Sequence, residues 1–381
     1  MEKPVEVSVL CITYNHGDML RQALDSMVRQ KTDFGIEILV HDDCSTDGTT
    51  DILREYAGKY PYIIRPFYET ENQYEKGIDY FRMMARHARG KYLAICEGDD
   101  YWCDEDKLQM QYDALETNPG VDLCACAAGM FDREGTKQTG LIRPKRCSGI
   151  ISIEDVIYGG GQYFPTASLF LRKEEFHRKM YDFEKVISCD YTMQIKGAMR
   201  GGAFYIDRVM VNYRTRVPES WKDIGKSMPE YEKSNFYRKL VAMLKVLDKE
   251  MNGKYHSVIM ERLKISEHAD ISFYDQLCSH GDSLLHALEH CPVIYLWGNG
   301  KRGDALQQYC VDKGICLTGV CDQSNTNIGE NTRYGFKIVS TGEVEKGKGL
   351  IIAANEAIYK ELKYLENDCK LENLQKYIPW S

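Results

Sequence analysis

IEILVHDDCSTDGTTDIL, residues 36–53, decides the fold. Its first half is apolar and reads as a strand. Its second half is a cluster of Ser, Thr, Asp and Gly, followed by Ile52, Leu53 and Tyr56 at helical spacing. Ser45 and Asp47 are the expected caps of that helix. Two adjacent carboxylates, Asp42 and Asp43, close the strand. Like charges this near each other are costly unless a cation or hydrogen-bond donors absorb them.

The same alternation extends in both directions. VEVSVLCITYN (5–15) is β-branched and apolar, and Leu20, Ala23, Leu24, Met27 and Val28 then recur at helical spacing. YIIRPFYE (62–69) is a third strand, and Ile78, Phe81, Met84 and Ala85 form another apolar stripe. KYLAICEGDDYW (91–102) reads as a fourth strand, again ending in acids: Glu97, Asp99 and Asp100. DEDKLQMQYDAL (104–115) is a helix with acids in its first turn, and VDLCACAAGMF (121–131) a fifth strand. Alternation of this kind predicts an α/β fold, a mostly parallel sheet covered by helices. Such sheets bind ligands at the carboxyl ends of their strands, where both acidic clusters fall.

Beyond residue 131 the pattern loosens. GGGQYFPTASLFLRKE (159–174) is a glycine-rich loop entering a strand, YTMQIKGAMRGG (191–202) a helix closed by glycine, and AFYIDRVMVNYR (203–214) a strand. Residues 218–290 read as helical. The stripe Phe236, Leu240, Met243, Leu244 and Leu247 suits packing between domains or across a dimer better than a membrane surface. From Pro292 a small α/β unit begins. The expected division is therefore 1–217, 218–290 and 291–381.

In the last unit, Gly298-Asn299-Gly300-Lys301-Arg302-Gly303 follows a strand and opens a helix, and Asp322 stands at the end of the next strand. That spacing is the dinucleotide fingerprint: glycines admit a pyrophosphate, and the acid receives a ribose hydroxyl. It makes Gly298, Gly300, Gly303 and Asp322 a candidate second nucleotide site, with NAD(P) as one ligand. A purely structural module is the alternative.

The 381 residues are 43 % hydrophobic and 28 % charged, with a net charge of −8. This describes a globular chain and argues against a nucleic-acid surface. The N-terminus lacks the pattern of a signal peptide, and no apolar run has the length of a membrane span. A cytoplasmic location is expected, with peripheral contact at the inner face of a membrane as an extension. Fourteen cysteines include no CxxC pair, so buried reduced thiols are expected and zinc at Cys124 and Cys126 is the lesser alternative.

VSVLCITYNHGDMLRQALDSMVRQ, IEILVHDDCSTDGTTDIL and GKYLAICEGDDYWCDEDKLQMQ, in this order and spacing, resemble the family 2 glycosyltransferases of the GT-A fold. The resemblance covers residues 5 to about 217. It implies that Thr13 and Tyr14 line a nucleobase, that Asp43 hydrogen-bonds the base, and that Asp42 lies near the ribose. Glu97-Gly98-Asp99-Asp100 matches the motif that holds Mn²⁺ or Mg²⁺ on a diphosphate. Asp99 and Asp100 are then the metal ligands, and Glu97 and Asp99 donor contacts. Asp190, preceded by Cys189 where the family often has an acid, matches the catalytic base; a helix N-cap is the competing role. Arg214 and Arg216 lie in a segment that closes over the diphosphate, with Arg216 where His is common. Gly160, Gly161 and Thr166 match the acceptor-side wall. Trp102 and Trp221 are candidates to stack on sugar rings, with core packing the competing role for Trp102.

The implied activity is inverting transfer of a sugar, from a nucleotide-diphosphate donor of UDP type, to a hydroxyl of a saccharide or lipid-linked acceptor. Surface polysaccharide biosynthesis is the implied setting. A sugar-nucleotide oxidoreductase or epimerase run by the C-terminal unit, or a non-catalytic binding module, is the alternative. A homo-oligomer is compatible with all of these.

Overall fold

The computed structural model describes residues 3–73, 79–177, 180–215, 230–267, 277, 282–289, 291–321, 327–346, 349–354, 358, 362 and 374–377. The chain divides into two compact units, Met1–Glu267 and His268–Ser381.

The first unit is built on ten strands: β1 (Val5–Thr13), β2 (Gly35–Asp42), β3 (Ile64–Tyr68), β4 (Tyr92–Ile95), β5 (Tyr101–Trp102), β6 (Leu123–Phe131), β7 (Gln138–Ile142), β8 (Gly149–Ile151), β9 (Phe170–Arg172) and β10 (Ala203–Arg214). They form one mixed sheet in the order β3-β2-β1-β4-β9-β6-β10-β5, with β7 on β6 and β8 on β10. The first four strands are mutually parallel. β9 runs antiparallel between β4 and β6, and β10 is parallel to β6. The carboxyl ends of β1, β2, β4, β6 and β10 therefore share one edge. The segment 91–102 is two strands rather than one, because the acidic turn at 97–100 reverses the chain and β5 pairs antiparallel with β10.

Both faces of this sheet are covered, which is why its strands read as continuous apolar runs. Val9, Cys11, Ile38, Val40 and Ala94 face one core with Leu20, Leu24, Met27, Leu53 and Leu108 from helices. Leu10, Leu39, Leu93 and Ile95, one residue out of phase, face the other with Val156, Ile195 and Phe164. Met243, Leu244 and Leu247 of the helix Glu230–Glu250 join this second core, as do Ile259 and Leu263 of the helix His256–Glu267. The stripe expected to pack between domains is thus used within the first unit, and the boundary falls at 267 rather than at 217 or 290.

One buried charge pins β1, β2 and β3 together. The Glu37 carboxylate accepts hydrogen bonds from Ser8 Oγ (2.7 Å), Arg65 Nη1 (2.7 Å), Arg89 Nε (2.8 Å) and the Arg89 backbone N–H (2.6 Å). Burial alone raises its pKa; the four donors outweigh burial and hold it below the ordinary value of 4.5. A group lowered in this way stabilises the fold fully above that ordinary value. The contribution is lost as pH falls through the lowered one. Glu37→Gln should cost about 2 kcal/mol at neutral pH. In acid titrations of unfolding, the gap between wild type and variant should close below pH 4.5.

The second unit has four parallel strands, β11 (Ile294–Trp297), β12 (Gly319–Cys321), β13 (Gly349–Ala353) and β14 (Leu374–Tyr377), in the order β12-β11-β13-β14. A helix, Lys301–Asp312, follows β11. Among the described residues no disulfide forms, and Cys124 and Cys126 are buried thiols. No described helix is long and apolar enough to cross a membrane.

Candidate active site

The paired acids at the tip of β2 are held by hydrogen-bond donors. Asp42 Oδ1 accepts from the Ser45 N–H (3.1 Å), and its Oδ2 accepts from Thr50 Oγ1. Asp43 Oδ1 accepts from the Gln73 N–H (2.7 Å) and Oδ2 from the Tyr80 Oη–H (2.9 Å). Asp42 therefore ties down the loop that follows it, and Asp43 holds Gln73 and Tyr80, the first residue of the helix Tyr80–Ala85.

The polar loop 44–49 has a second task. Ser45 Oγ accepts from the Asn15 N–H (3.0 Å), Thr49 Oγ1 from the His16 N–H (2.9 Å), and Asp47 Oδ2 from the Gly17 N–H (2.9 Å). Ser45 and Asp47 were expected to cap the helix Thr49–Lys59; its N-cap is Gly48, at φ +95°. Asp47 nonetheless serves the helix start, its Oδ1 accepting from the Thr49 N–H (3.1 Å), and Ser45 and Asp47 both fasten the loop after β1, which follows Thr13 and holds the half-buried Tyr14.

The acidic turn sits one strand away. Glu97, Asp99 and Asp100 place carboxylate oxygens within 4.8 Å of one another, the one such cluster among the described residues. Asp100 is buried; its Oδ1 accepts from the Arg214 N–H (2.8 Å), and its Oδ2 has no partner. Burial, then the charges of Asp99 and Glu97, hold the Asp100 carboxyl well above its ordinary value. Burial, then Asp99 and Asp190, push Glu97 up to about 8. Negative charge is in excess here, and a hard divalent cation with oxygen ligands is what neutralises such a set. The unpartnered Oδ2 of Asp100 fits that cation.

Gly98 lets the turn press onto the loop after β1. A Cβ on it would lie 2.7 Å from Thr13 Oγ1 and 2.9 Å from His16 Nδ1. Both atoms are buried and have no hydrogen-bond partner within the protein. His16 was absent from the sequence-based site; a single His in a loop gives no spacing signal.

Asp190 opens the helix Asp190–Ala198, and Cys189 takes the N-cap position. Asp190 is therefore the first helical residue and not the N-cap, though its Oδ1 accepts from the Tyr191 N–H (2.7 Å) in the first turn. Its charge adds, after burial and Asp99, to the rise of the Glu97 pKa. A Cβ on Gly161 would stand 3.0 Å from Asp190 Oδ1, so the glycine loop and the carboxylate are neighbours. Gly160, at φ +74°, and the half-buried Thr166 belong to the same loop. Gly161→Ala should lower kcat roughly 10- to 100-fold by displacing that carboxylate. The melting temperature and the donor KM should hold, measured by calorimetry and initial rates.

One expected contact is overturned. Trp102 is buried, donates Nε1–H to the Ala167 carbonyl (2.9 Å), and carries Lys107 Nζ over its ring at 4.2 Å. It is core, and no sugar can stack on it. Arg214 is also buried: Nη1 donates to the Asp99 carbonyl (2.6 Å), Nη2 to Gln22 Oε1, and the guanidinium lies 4.8 Å from the Tyr101 ring centroid. These contacts brace the acidic turn, while its Nε is buried with no hydrogen-bond partner. Arg216, Trp221 and Asp322 lie outside the described residues.

Burial, then the charges of Asp100, Glu97, Asp99 and Asp190, raise the Tyr213 hydroxyl. One further residue reaches the site without a sequence signal. Arg262, from the helix His256–Glu267, lies against Gly160 and 5.9 Å from the Tyr191 ring centroid. In the second unit, Gly298 is at φ +114° and Gly303 abuts the Gly298 carbonyl.

Comparison with known proteins agrees with this architecture. Residues 8–180 match the family model Glycosyl transferase family 2. An uncharacterized protein of Mycobacterium tuberculosis (strain H37Rv) is 30 % identical over 216 residues, 56 % of this chain and 60 % of that protein. The chain thus spans less than two thirds of that relative's length. The Escherichia coli UDP-Glc:alpha-D-GlcNAc-diphosphoundecaprenol beta-1,3-glucosyltransferase WfaP is 34 % identical over 112 residues, 29 % of this chain and 41 % of WfaP. Staphylococcus aureus TarS 1-349, solved in complex with UDP-GlcNAc, superposes with a TM-score of 0.54 at 16 % identity, covering 74 % of this chain and 80 % of TarS 1-349. That likeness is one of fold. Residues 8–180 of the first unit thus match glycosyl transferase family 2.

Proposed function

We propose that the first unit is an inverting glycosyltransferase. It moves a sugar from a nucleoside-diphosphate donor, of UDP type, to a hydroxyl of a saccharide or lipid-linked acceptor. The observation that carries this reading is the gathering of Glu97, Asp99 and Asp100 at one edge of the sheet, with the charge of Asp190 acting on Glu97.

Asp99 and Asp100 would hold Mn²⁺ or Mg²⁺, with Glu97 beside them. When bound, that cation supplies positive charge against the negative charge growing on the departing diphosphate. Thr13 and Tyr14, on the loop fastened by Ser45, Asp47 and Thr49, form the wall for the nucleobase. Asp43 holds Gln73 and Tyr80 in place, and Asp42 keeps the ribose side of the loop closed. Asp190, beside the glycine loop at 159–161, takes the proton from the acceptor hydroxyl, a weak nucleophile until then. One base and no covalent intermediate give in-line attack and inversion at the anomeric carbon. Arg262 lends positive charge to the acceptor wall and suits an acceptor with an anionic group. The diphosphate-linked acceptor in the name of WfaP is of that kind, and surface polysaccharide assembly at the inner face of a membrane is the setting proposed here.

The test is release of UDP from a panel of UDP-sugars with Mn²⁺ present. Turnover of one or more supports transfer chemistry. No binding and no turnover across UDP- and GDP-sugars would remove it.

A further inference from the structure

We infer that the second unit carries a nucleotide-binding site of its own, at the loop 298–303. The inference is independent of the first unit's activity.

The sheet order supplies the place. β11 is central, and the chain leaves it first to β12 on one side and then to β13 on the other. Parallel sheets bind ligands where successive connections diverge in this way, at the carboxyl ends of the strands. Gly298 and Ala354 are the first residues past β11 and β13, and their backbones are tied into the sheet: the Gly298 N–H donates to the Cys321 carbonyl (2.7 Å) and the Ala354 N–H to the Trp297 carbonyl (3.0 Å).

The glycines divide the work. A Cβ on Gly298 would lie 2.7 Å from Ala354 Cβ, and one on Gly303 would overlap the Gly298 carbonyl. These two let the helix Lys301–Asp312 press its first turn onto the strand end. Gly300 differs: nothing lies within 4 Å of the position its Cβ would take. The floor of the loop is closed and the space over its middle is open, directly above a helix N-terminus of twelve residues.

A second observation points to a ligand. Gln307, on the same helix, is fully buried. Its Nε2 donates to Asn299 Oδ1 in the loop (3.0 Å), while its Oε1 has no hydrogen-bond partner. An unsatisfied buried carbonyl costs about 1–3 kcal/mol, so such groups are normally paired. A ribose hydroxyl would supply the missing donor, and the helix N-terminus would take the pyrophosphate. The chemistry is that of a nucleoside diphosphate or a dinucleotide.

Gly300→Asp tests this cleanly. Gly300 is the N-cap residue at φ −85°, a conformation open to any residue, and Asp is a favoured N-cap. The variant should fold with an unchanged or raised melting temperature while placing a carboxylate where the phosphate would sit. Binding of UDP, ADP and NAD to the full chain would be measured by equilibrium dialysis in EDTA, which silences the metal-dependent first unit. The result expected is that one of the three binds the wild-type chain at one equivalent, and that Gly300→Asp weakens it by at least about tenfold. Which one binds separates the sources. No binding by any of them, or binding that Gly300→Asp leaves unchanged, overturns the inference. Neither outcome bears on sugar transfer by the first unit.

Discussion

Asp190→Asn should lower transfer by about 10²–10⁴-fold, the range of a lost general base, while donor affinity stays within about twofold of wild type. The asymmetry follows from position. Asp190 adjoins Gly161 on the acceptor side, whereas the loops of Thr13 and Asp43 belong to β1 and β2. Asn keeps the size and the hydrogen bond that Oδ1 accepts from the Tyr191 N–H (2.7 Å), so the helix start should survive. Steady-state rates with donor and acceptor varied separately, beside calorimetric donor titration, give the split. Near-normal transfer by the variant would take the base role away from Asp190. A parallel loss of donor binding would make the residue structural.

The second large effect is expected at the acidic turn. Asp99→Ala should lower activity at least about 10²-fold and abolish the response to added Mn²⁺ or Mg²⁺. In the wild type, a chelator should remove transfer and either cation should restore it. Asp99 is the better probe than Asp100. Asp99 is half-buried, whereas Asp100 Oδ1 also holds the Arg214 N–H and its loss would disturb the turn itself. Removing one acid also relieves charge repulsion on Glu97, so the variant should be no less stable than wild type. Full activity in chelator would refute the cation, and unaltered metal dependence of Asp99→Ala would move its ligands elsewhere.

Much of this arrangement was legible because strand ends and acids are both local signals. Two apolar runs closing in acids sufficed to place Asp42, Asp43, Glu97, Asp99 and Asp100 on one sheet edge, and the glycine pattern at 298–303 did the same for the second unit. What each acid does was not legible. Asp42 and Asp43 look like an unshielded pair, yet their donors come from residues 45, 50, 73 and 80. Ser45 and Asp47 have the composition of helix caps; Asp47 does bond the first helical N–H through Oδ1, but its Oδ2 and Ser45 Oγ go to backbone N–H groups of the loop after β1, which no local signal announces. Trp102 fails as a stacking ring because stacking is read from residue type, while burial is decided by β5 folding back against β10. Arg262 arrives through long-range packing, and His16 through the close approach that Gly98 permits; neither leaves a periodicity to find.

The most direct measurement is the anomalous scattering of manganese in a crystal grown with UDP. The account predicts one strong peak within bonding distance of the Asp99 and Asp100 carboxylates, bridging to the diphosphate, with the uracil against Thr13 and Tyr14. A bound UDP without manganese at that turn, or manganese held by other residues, would contradict it.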